Sequence, residues 1–361
     1  MHRPKATIDV SGEAASFGTG KGRVSFGKKW QDQSEALVSG TGYDSRGDRL
    51  YFREYDPSYP FHDPRGNNNG IAEYRDGERF SSAFTKWSSQ GFTLEGALIS
   101  RAKDIPTADK GANFNDPGNR VADERAYVDV KYDRSIGQQT DVTARVYYDS
   151  AAYRGDYVYS GIVNRDSSSG MGLGGELQLS TKLQEIHRVM LGAEYEDNRR
   201  QDQRNADQNP FSQYLNDERS SHAWACYIQD EVTLTSALIL NAGVRYDRTS
   251  FSGSTTNPRI AVIVNPAAGS TVKLLYGSAF RSPNVYELYY QSPASSPPMI
   301  SNPDLRPEQI KMYELVFEQY LGTGFRATAD GYYYKINDLI NQTIDAAGNL
   351  VFNNIEEVDA R

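Results

Sequence analysis

Apolar and polar residues alternate along most of this chain. Between residues 272 and 281, every second side chain is mostly apolar or aromatic, and the ones between are small or charged. The same period of two recurs at 126–133, 142–149, 189–196 and 240–247. Such a period is that of a β-strand with one face buried. The pattern therefore predicts an all-β chain, and no helical period extends over a comparable length.

Short and long connections alternate between the predicted strands. The link at 135–138 is short, whereas long polar loops are predicted at 56–77, 104–120, 153–169, 199–219 and 282–307. Residues 49–55 are predicted to extend the third strand. In the last loop, prolines and turn-forming Asn and Asp predict neither helix nor strand ladder. Barrels place short turns at one end and long loops at the other, so the chain is predicted to be an antiparallel barrel.

The composition agrees with a barrel that crosses a membrane with strands. Hydrophobic residues make up 38% of the chain, which nevertheless contains 25 Tyr, 14 Phe and 3 Trp. The longest apolar run, at 260–264, is far short of the ~20 residues that a spanning helix needs. Strands with one wet face and with aromatic belts produce this composition.

The net charge of −8 argues against a nucleic-acid partner, since binding of that kind depends on a surplus of Lys and Arg. With Cys226 as the only cysteine, no intramolecular disulfide or cysteine metal cluster is predicted. We interpret Cys226 as a small buried or lipid-facing hydrophobic residue.

Several ordered blocks carry a family resemblance. The blocks are Tyr276-Gly-Ser-Ala-Phe-Arg-Ser-Pro-Asn284, Tyr286-Glu-Leu-Tyr289, Asn302-Pro-Asp-Leu-Arg-Pro-Glu308, Tyr313-Glu-Leu315 and Tyr332-Tyr-Tyr-Lys-Ile-Asn-Asp-Leu-Ile340. Together they resemble the barrel of TonB-dependent outer-membrane receptors. The resemblance is strong over 223–355 and generic before that.

The resemblance implies a transmembrane antiparallel β-barrel that is incomplete. Family barrels have about 22 strands around a plugged lumen, and about 16 are predicted here. Residues 1–361 are interpreted as a partial barrel domain, without a plug domain, an energy-coupling box or a terminal aromatic residue at Arg361. Since lipid does not satisfy unpaired strand edges, the chain alone is not expected to transport unless it closes into a smaller barrel or is completed by another chain.

The function that the resemblance implies is active uptake of a bulky nutrient across a Gram-negative outer membrane. The cargo would be a ferric siderophore, another iron chelate or cobalamin. The partners would be outer-membrane lipid and the TonB complex, the latter through a plug domain that this chain lacks. The alternatives are a passive channel and a non-functional fragment of a split gene. An enzyme is the weakest alternative because no catalytic constellation is evident, and no cofactor is predicted.

The candidate ligand-binding residues lie in the resembling blocks. Tyr286, Tyr289 and Tyr290 offer stacking surfaces, and Arg281 and Arg306 offer positive charge to an anionic metal chelate. The alternative is that Arg281 and its neighbours only shape the loop and the strand ends, which the abundance of turn residues favours.

Metal sites are weakly indicated. The four histidines, His2, His62, His187 and His222, have no zinc-ligand spacing. Four loop carboxylates offer the oxygens that calcium prefers, although an ordinary solvated loop is favoured. They are Asp104, Asp109, Asp116 and Asp123.

Overall fold

The chain folds almost entirely into β-strands. A computed structural model describes residues 5–293, 295, 297–322 and 324–360. His2 and Arg361 lie outside the described residues. The strands are β1 Lys5–Ala15, β2 Thr19–Lys29, β3 Glu35–Ser45, β4 Arg49–Tyr51, β5 Ile71–Glu73, β6 Glu78–Ser89, β7 Phe92–Asp104, β8 Arg120–Ile136, β9 Thr140–Tyr159, β10 Ile162–Leu183, β11 His187–Gln208, β12 Phe211–Asp217, β13 Ser221–Thr235, β14 Leu238–Thr249, β15 Gly253–Ala267, β16 Ser270–Arg281, β17 Met299–Ile300, β18 Glu308–Leu321, β19 Phe325–Ile344 and β20 Leu350–Ala360.

Within the described residues, eighteen strands form one sheet, and β4 and β5 form a separate two-stranded sheet. In the large sheet, each long strand pairs antiparallel with its neighbours along the chain. Two of its strands, β12 and β17, are short additions at one end, so sixteen long strands build the wall, as the sequence predicts. Among the described residues, β1 pairs only with β2, and β20 pairs with β19 and, over two residues, with β17. The sheet is therefore not closed between β1 and β20.

The strand registers align one continuous apolar face. Side chains of this face remain exposed, such as Ile8 at 70%, and Cys226 lies among them. Registered sets along it are Ile8, Phe26 and Val38; Leu191, Ile228 and Val244; and Tyr276, Tyr313 and Tyr333. An exposed apolar band of this kind is suited to contact with hydrocarbon.

Aromatic pairs flank the apolar face at different heights. Phe92 and Tyr132 lie 4.4 Å apart between ring centroids. Trp224 packs on Tyr246 at 5.4 Å, closer to the opposite ends of their strands. Amphipathic rings in two rows are typical of membrane–water interfaces.

The opposite face of the sheet is polar. Arg245 donates from both Nη atoms to Glu194, each at 2.7 Å, and Tyr227 donates its hydroxyl to Glu176 at 3.0 Å. The Tyr227 ring lies over Gly192, where an added Cβ would be 2.0 Å from the ring carbon Cζ. The polar face thus holds ion pairs and hydrogen bonds that need a wet surrounding.

The two ends of the sheet differ in their connections. The short-turn end carries links such as 90–91, 137–139 and 236–237. The long-loop end carries 46–77, 105–119 and 282–307. The predicted alternation of short and long connections holds for these links only, because the links 160–161, 250–252 and 345–349 at the long-loop end are also short.

The loops 46–77 and 105–119 form a folded unit that we call the rim cap. Tyr55 and Phe114 stack at 4.2 Å, and Phe52 packs edge-on against Phe114 at 5.9 Å. Phe114 is fully buried, and Ala72 and Ala108 complete this small core. The rim cap is therefore held by its own hydrophobic core.

Four parts of the sequence interpretation are wrong. Residues 153–169 and 199–219 are not long loops, because β9, β10 and β11 continue through them and β12 follows. Residues 49–55 do not extend β3 but form β4 and a 3-10 turn. Above the apolar band, both faces of a strand meet water or other polar groups, so the apolar alternation disappears while the backbone ladder continues.

The loop 282–307 contains the helix α1, Val285–Tyr289, and the strand β17, contrary to the prediction of neither. Asn284 caps this helix by accepting from the Glu287 backbone, and the Glu287 carboxylate accepts from the Asn284 backbone. This capping box is a readable helix-start signal that outweighs the nearby prolines. No helix among the described residues has the length and apolarity to cross a bilayer.

Candidate ligand-binding site

A cavity of ≈ 380 Å³ lies at the long-loop end of the sheet. Segments that are distant in sequence meet there: the rim cap, the ends of β9, β10 and β11, the loop 282–307, and β19 and β20. The lining side chains that matter below are Arg65, Lys110, Tyr157, Tyr159, Asn164, Asp166, Asn205, Tyr286, Tyr290, Met299 and Gln342. A pocket with a few convergent polar groups among aromatic walls has the usual character of a ligand site.

Lys110 reaches the cavity from a tight turn of the rim cap. Lys110 and Gly111 adopt left-handed backbone angles, with φ of 51° and 83°. Lys110 Nζ lies 3.3 Å from the Asp166 carboxylate and 4.7 Å from the centroid of the Tyr157 ring. Burial lowers the pKa of Lys110, but the Asp166 carboxylate together with the nearby Tyr153 and Tyr286 hydroxyls outweighs burial, and the net shift of the pKa is upward. The ammonium is therefore charged at neutral pH and links the rim cap to the strand wall.

Two tyrosines of the loop 282–307 form the opposite wall. The Tyr286 and Tyr290 rings lie 4.5 Å apart, one turn of α1 separating them. Asn205 Nδ2 donates to the Tyr290 hydroxyl at 3.4 Å and to the Asn164 side chain at 3.0 Å. Burial raises the pKa of both tyrosine hydroxyls. At neutral pH they are uncharged, so they offer rings for stacking and hydroxyls for hydrogen bonds.

The predicted residues Tyr286 and Tyr290 therefore meet in the cavity, whereas Tyr289 does not line it. Tyr289 packs edge-on against Phe251 at 5.7 Å, and the guanidinium of Arg219 lies 3.4 Å from its ring centroid. The helical period of α1 separates the three tyrosines in this way, because positions four apart share a face.

Arg281 and Arg306 are engaged by carboxylates. Arg281 binds Glu287 at 2.9 Å and Glu308 at 2.7 Å, and Arg306 binds Asp338 at 2.5 Å. Neither arginine lines the cavity. Their positive charge is offset by these partners, and Arg281 joins α1 to the start of β18. Ligand contact by these two residues stays a prediction.

Sequence reasoning missed the strand-borne half of the cavity. Tyr157, Asn164, Asp166 and Asn205 lie on the polar face of β9, β10 and β11, in segments interpreted as loops. Their register brings them together, since Asn164 pairs with both Tyr157 and Asp207 across the ladder. Polar residues spaced two apart, as in Asn164 and Asp166, are the one signal that indicates a strand here.

The four candidate calcium carboxylates are engaged separately. Asp104 accepts from Arg120 at 2.9 Å, and Asp123 lies 3.8 Å from Arg101. Asp109 and Asp116 accept from backbone N–H groups of their own turns. Across the part of the chain that the structure describes, no group of three or more His, Cys, Asp or Glu side chains is arranged to hold a metal ion.

Comparison with protein families gives a match over residues 42–361 to the family described as TonB dependent receptor-like, beta-barrel. The match begins far N-terminal to residues 223–355, where the sequence blocks resemble the family strongly. It covers the rim cap, the cavity and the strands from the end of β3 onward.

Two curated relatives come from Vibrio cholerae serotype O1. The Vitamin B12 transporter BtuB is 37% identical over 103 residues, which are 28% of this chain and 16% of the relative. The Iron-regulated outer membrane virulence protein is 29% identical over 125 residues, 34% of this chain and 19% of the relative. The matches therefore span less than one fifth of these relatives.

Solved structures share the fold at low sequence identity. The ferric enterobactin receptor PfeA from Pseudomonas aeruginosa, in complex with enterobactin, has a TM-score of 0.68 at 15% identity. The match covers 98% of this chain and 59% of that one. The copper transporter OprC has a TM-score of 0.71 at 15% identity, with 98% and 57% covered. This chain thus spans somewhat over half the length of those two chains.

Proposed function

Because this chain belongs to the TonB-dependent receptor β-barrel family, we propose that it takes up a bulky nutrient across the outer membrane of a Gram-negative cell. The cargo classes in question are a ferric siderophore, another iron complex and cobalamin. The observation that carries the proposal is the aromatic and polar cavity at the long-loop end.

Insertion into the outer membrane is supported by the two faces of the sheet. The apolar face with its flanking aromatic pairs suits lipid, and the ion-paired polar face suits a wet lumen. In this orientation the long loops, with the rim cap and the cavity, face the outside. A nutrient would therefore meet the cavity before it meets the lumen.

In the cavity, Tyr286, which is 40% exposed, would stack on the cargo, backed by the buried Tyr290 and Tyr157, and Lys110 would hydrogen-bond to the cargo. The buried Asn164–Asn205 amide pair would hold the Tyr290 hydroxyl in place. Arg281, Tyr289 and Arg306 would act mainly by holding the loop in place. Energy would come from the TonB complex through a plug domain. We propose no catalytic activity.

The aromatic cavity that the rim cap and the loop 282–307 line together favours uptake over a passive channel. A channel would also need no aromatic binding site.

The test compares cells that produce or lack the native gene product, starved of iron or of cobalamin. Growth restored by a ferric chelate or by cobalamin, and lost when TonB is deleted, is the expected result. Uptake that persists without TonB would identify a passive channel instead. No difference between the two strains under any starvation would refute the proposed function.

A further inference from the structure

The charges around the cavity bear on which cargo class it accepts. The charged side chains that line the cavity, or hydrogen-bond to its lining, comprise two cations and four carboxylates among the described residues. They are Lys110 and Arg65, and Asp63, Asp109, Asp166 and Asp207. The site thus has a surplus of negative charge.

Both cations are already neutralised by a carboxylate. Arg65 Nε donates to Asp63 at 2.8 Å, and its Nη2 forms a second, short contact with the same carboxylate. Lys110 is bound to Asp166, whose side chain is only 9% exposed. An anionic cargo would have to compete with these carboxylates for each cation. The carboxylates would also repel the cargo, because like charges placed side by side disfavour binding.

The remaining polar lining is uncharged and consists largely of amides and hydroxyls. Gln342 presents an exposed amide, and Tyr159, Tyr286 and Tyr290 present hydroxyls. The amides of Asn164 and Asn205 are buried and donate to each other, to Asp207 and to Tyr290. Met299 adds a polarizable apolar contact within 3.8 Å of the Tyr286 hydroxyl. The Gln342 amide and the hydroxyls both donate and accept, so this uncharged lining matches a cargo that carries amide and carbonyl groups around an apolar body.

We infer that the cavity selects a cargo without net negative charge, a neutral chelate or macrocycle rich in amide groups, over a ferric tris-catecholate. The latter carries three negative charges, since three catecholate dianions surround one Fe³⁺. This inference rests on the proposed function and specifies the substrate class of the same site. The Lys110–Asp166 pair then serves as a neutral hydrogen-bonding unit rather than as an anion receptor.

The test measures dissociation constants of the purified native gene product for three probes. Cyanocobalamin and a ferric trihydroxamate are neutral amide-bearing probes, and a ferric tris-catecholate is the anionic one. We expect at least one neutral probe to bind about 100-fold more tightly than the catecholate, with less than about threefold change between low and high salt, because screening acts only on charged ligands.

Two variants of nearly unchanged size sharpen the test. Lys110→Gln removes a cation and Asp166→Asn removes an anion. Each should weaken the neutral probe by a similar factor of about 3 to 10, since each loses one hydrogen-bonding partner. Catecholate binding should instead move in opposite directions, improving about tenfold in Asp166→Asn and weakening in Lys110→Gln. Glu13→Gln makes the same charge change as Asp166→Asn on β1, which does not line the cavity, and should alter binding of neither probe.

Tighter binding of the catecholate, or a steep fall of affinity with salt, would overturn the inference while leaving the proposed uptake function intact. Binding of none of the probes, together with unaltered growth of the deletion strain, would overturn both. Growth on catecholate iron that requires this gene would also overturn the charge selection alone.

Discussion

Arg281 allows a direct test of whether a candidate ligand residue shapes the loop or contacts the cargo. Its guanidinium donates to Glu308 through Nε at 2.8 Å and Nη2 at 2.7 Å, and to Glu287 through Nη1 at 2.9 Å. Arg281→Ala would leave both carboxylates, which are 14% and 11% exposed, without their cation. Each keeps one backbone donor, from Ile340 and Asn284 respectively.

The size of the effect follows from exposure. Removing one partner of a buried ion pair costs about 3–5 kcal/mol, and an exposed pair contributes about 0–1 kcal/mol. The Arg281 side chain is 44% exposed, so water solvates part of the site in either state. We expect a loss of about 2–3 kcal/mol in the free energy of local opening of α1, or roughly 30- to 150-fold faster amide exchange.

Hydrogen–deuterium exchange of residues 282–307 in the detergent-solubilised native gene product measures this opening. The matched control is Arg326→Ala, which removes a 2.6 Å pair to Glu318 on strands β19 and β18. It should leave exchange in the loop unchanged. If Arg281→Ala exchanged at the wild-type rate while cargo affinity fell tenfold, the loop-shaping role would be refuted and Arg281 would be a ligand contact.

Three further substitutions test the wall, the rim cap and the cavity. Gly192→Ala should reduce the heat-modifiable folded fraction on gels, because a Cβ there overlaps the Tyr227 ring, whereas Gly277→Ala, with nothing within 4 Å of its Cβ, should not. Phe114→Ala should destabilise the rim cap by about 3–5 kcal/mol and expose its loops to protease, and an unchanged cleavage rate would contradict the proposed core. Tyr286→Ala should weaken cargo binding about tenfold through lost stacking, without faster exchange in α1; equal affinity would remove Tyr286 from the site.

Much of the sheet could be predicted from the sequence, because apolar and polar side chains must alternate where one face of a strand is apolar and the other is polar. Residues 240–247 show that period, and β14 occupies them with Leu240 and Val244 on the apolar face. The long loops at 56–77, 104–120 and 282–307 followed from their turn residues, whereas the loops predicted at 153–169 and 199–219 were wrong because strands continue there. Both signals are local, so a single sequence reveals them.

Only half of the cavity could be predicted from the sequence, because its parts come together through long-range contacts. Tyr286 and Tyr290 lie in a recognisable block, but Asp166 and Lys110 meet from positions 56 residues apart. Nothing in the local pattern at either position indicates the other. These two residues come together because of the register of β9 to β11 above the apolar band and because of the fold of the rim cap. Both features depend on long-range contacts.

The buried core of the rim cap has a consequence for the kinetics of capture. Phe52, Tyr55 and Phe114 hold Lys110 in position before any cargo arrives, and a segment that is already ordered loses little conformational entropy when it binds. Encounter should then proceed at a rate set by diffusion and orientation, and differences in affinity among cargoes should reside in how slowly each one leaves.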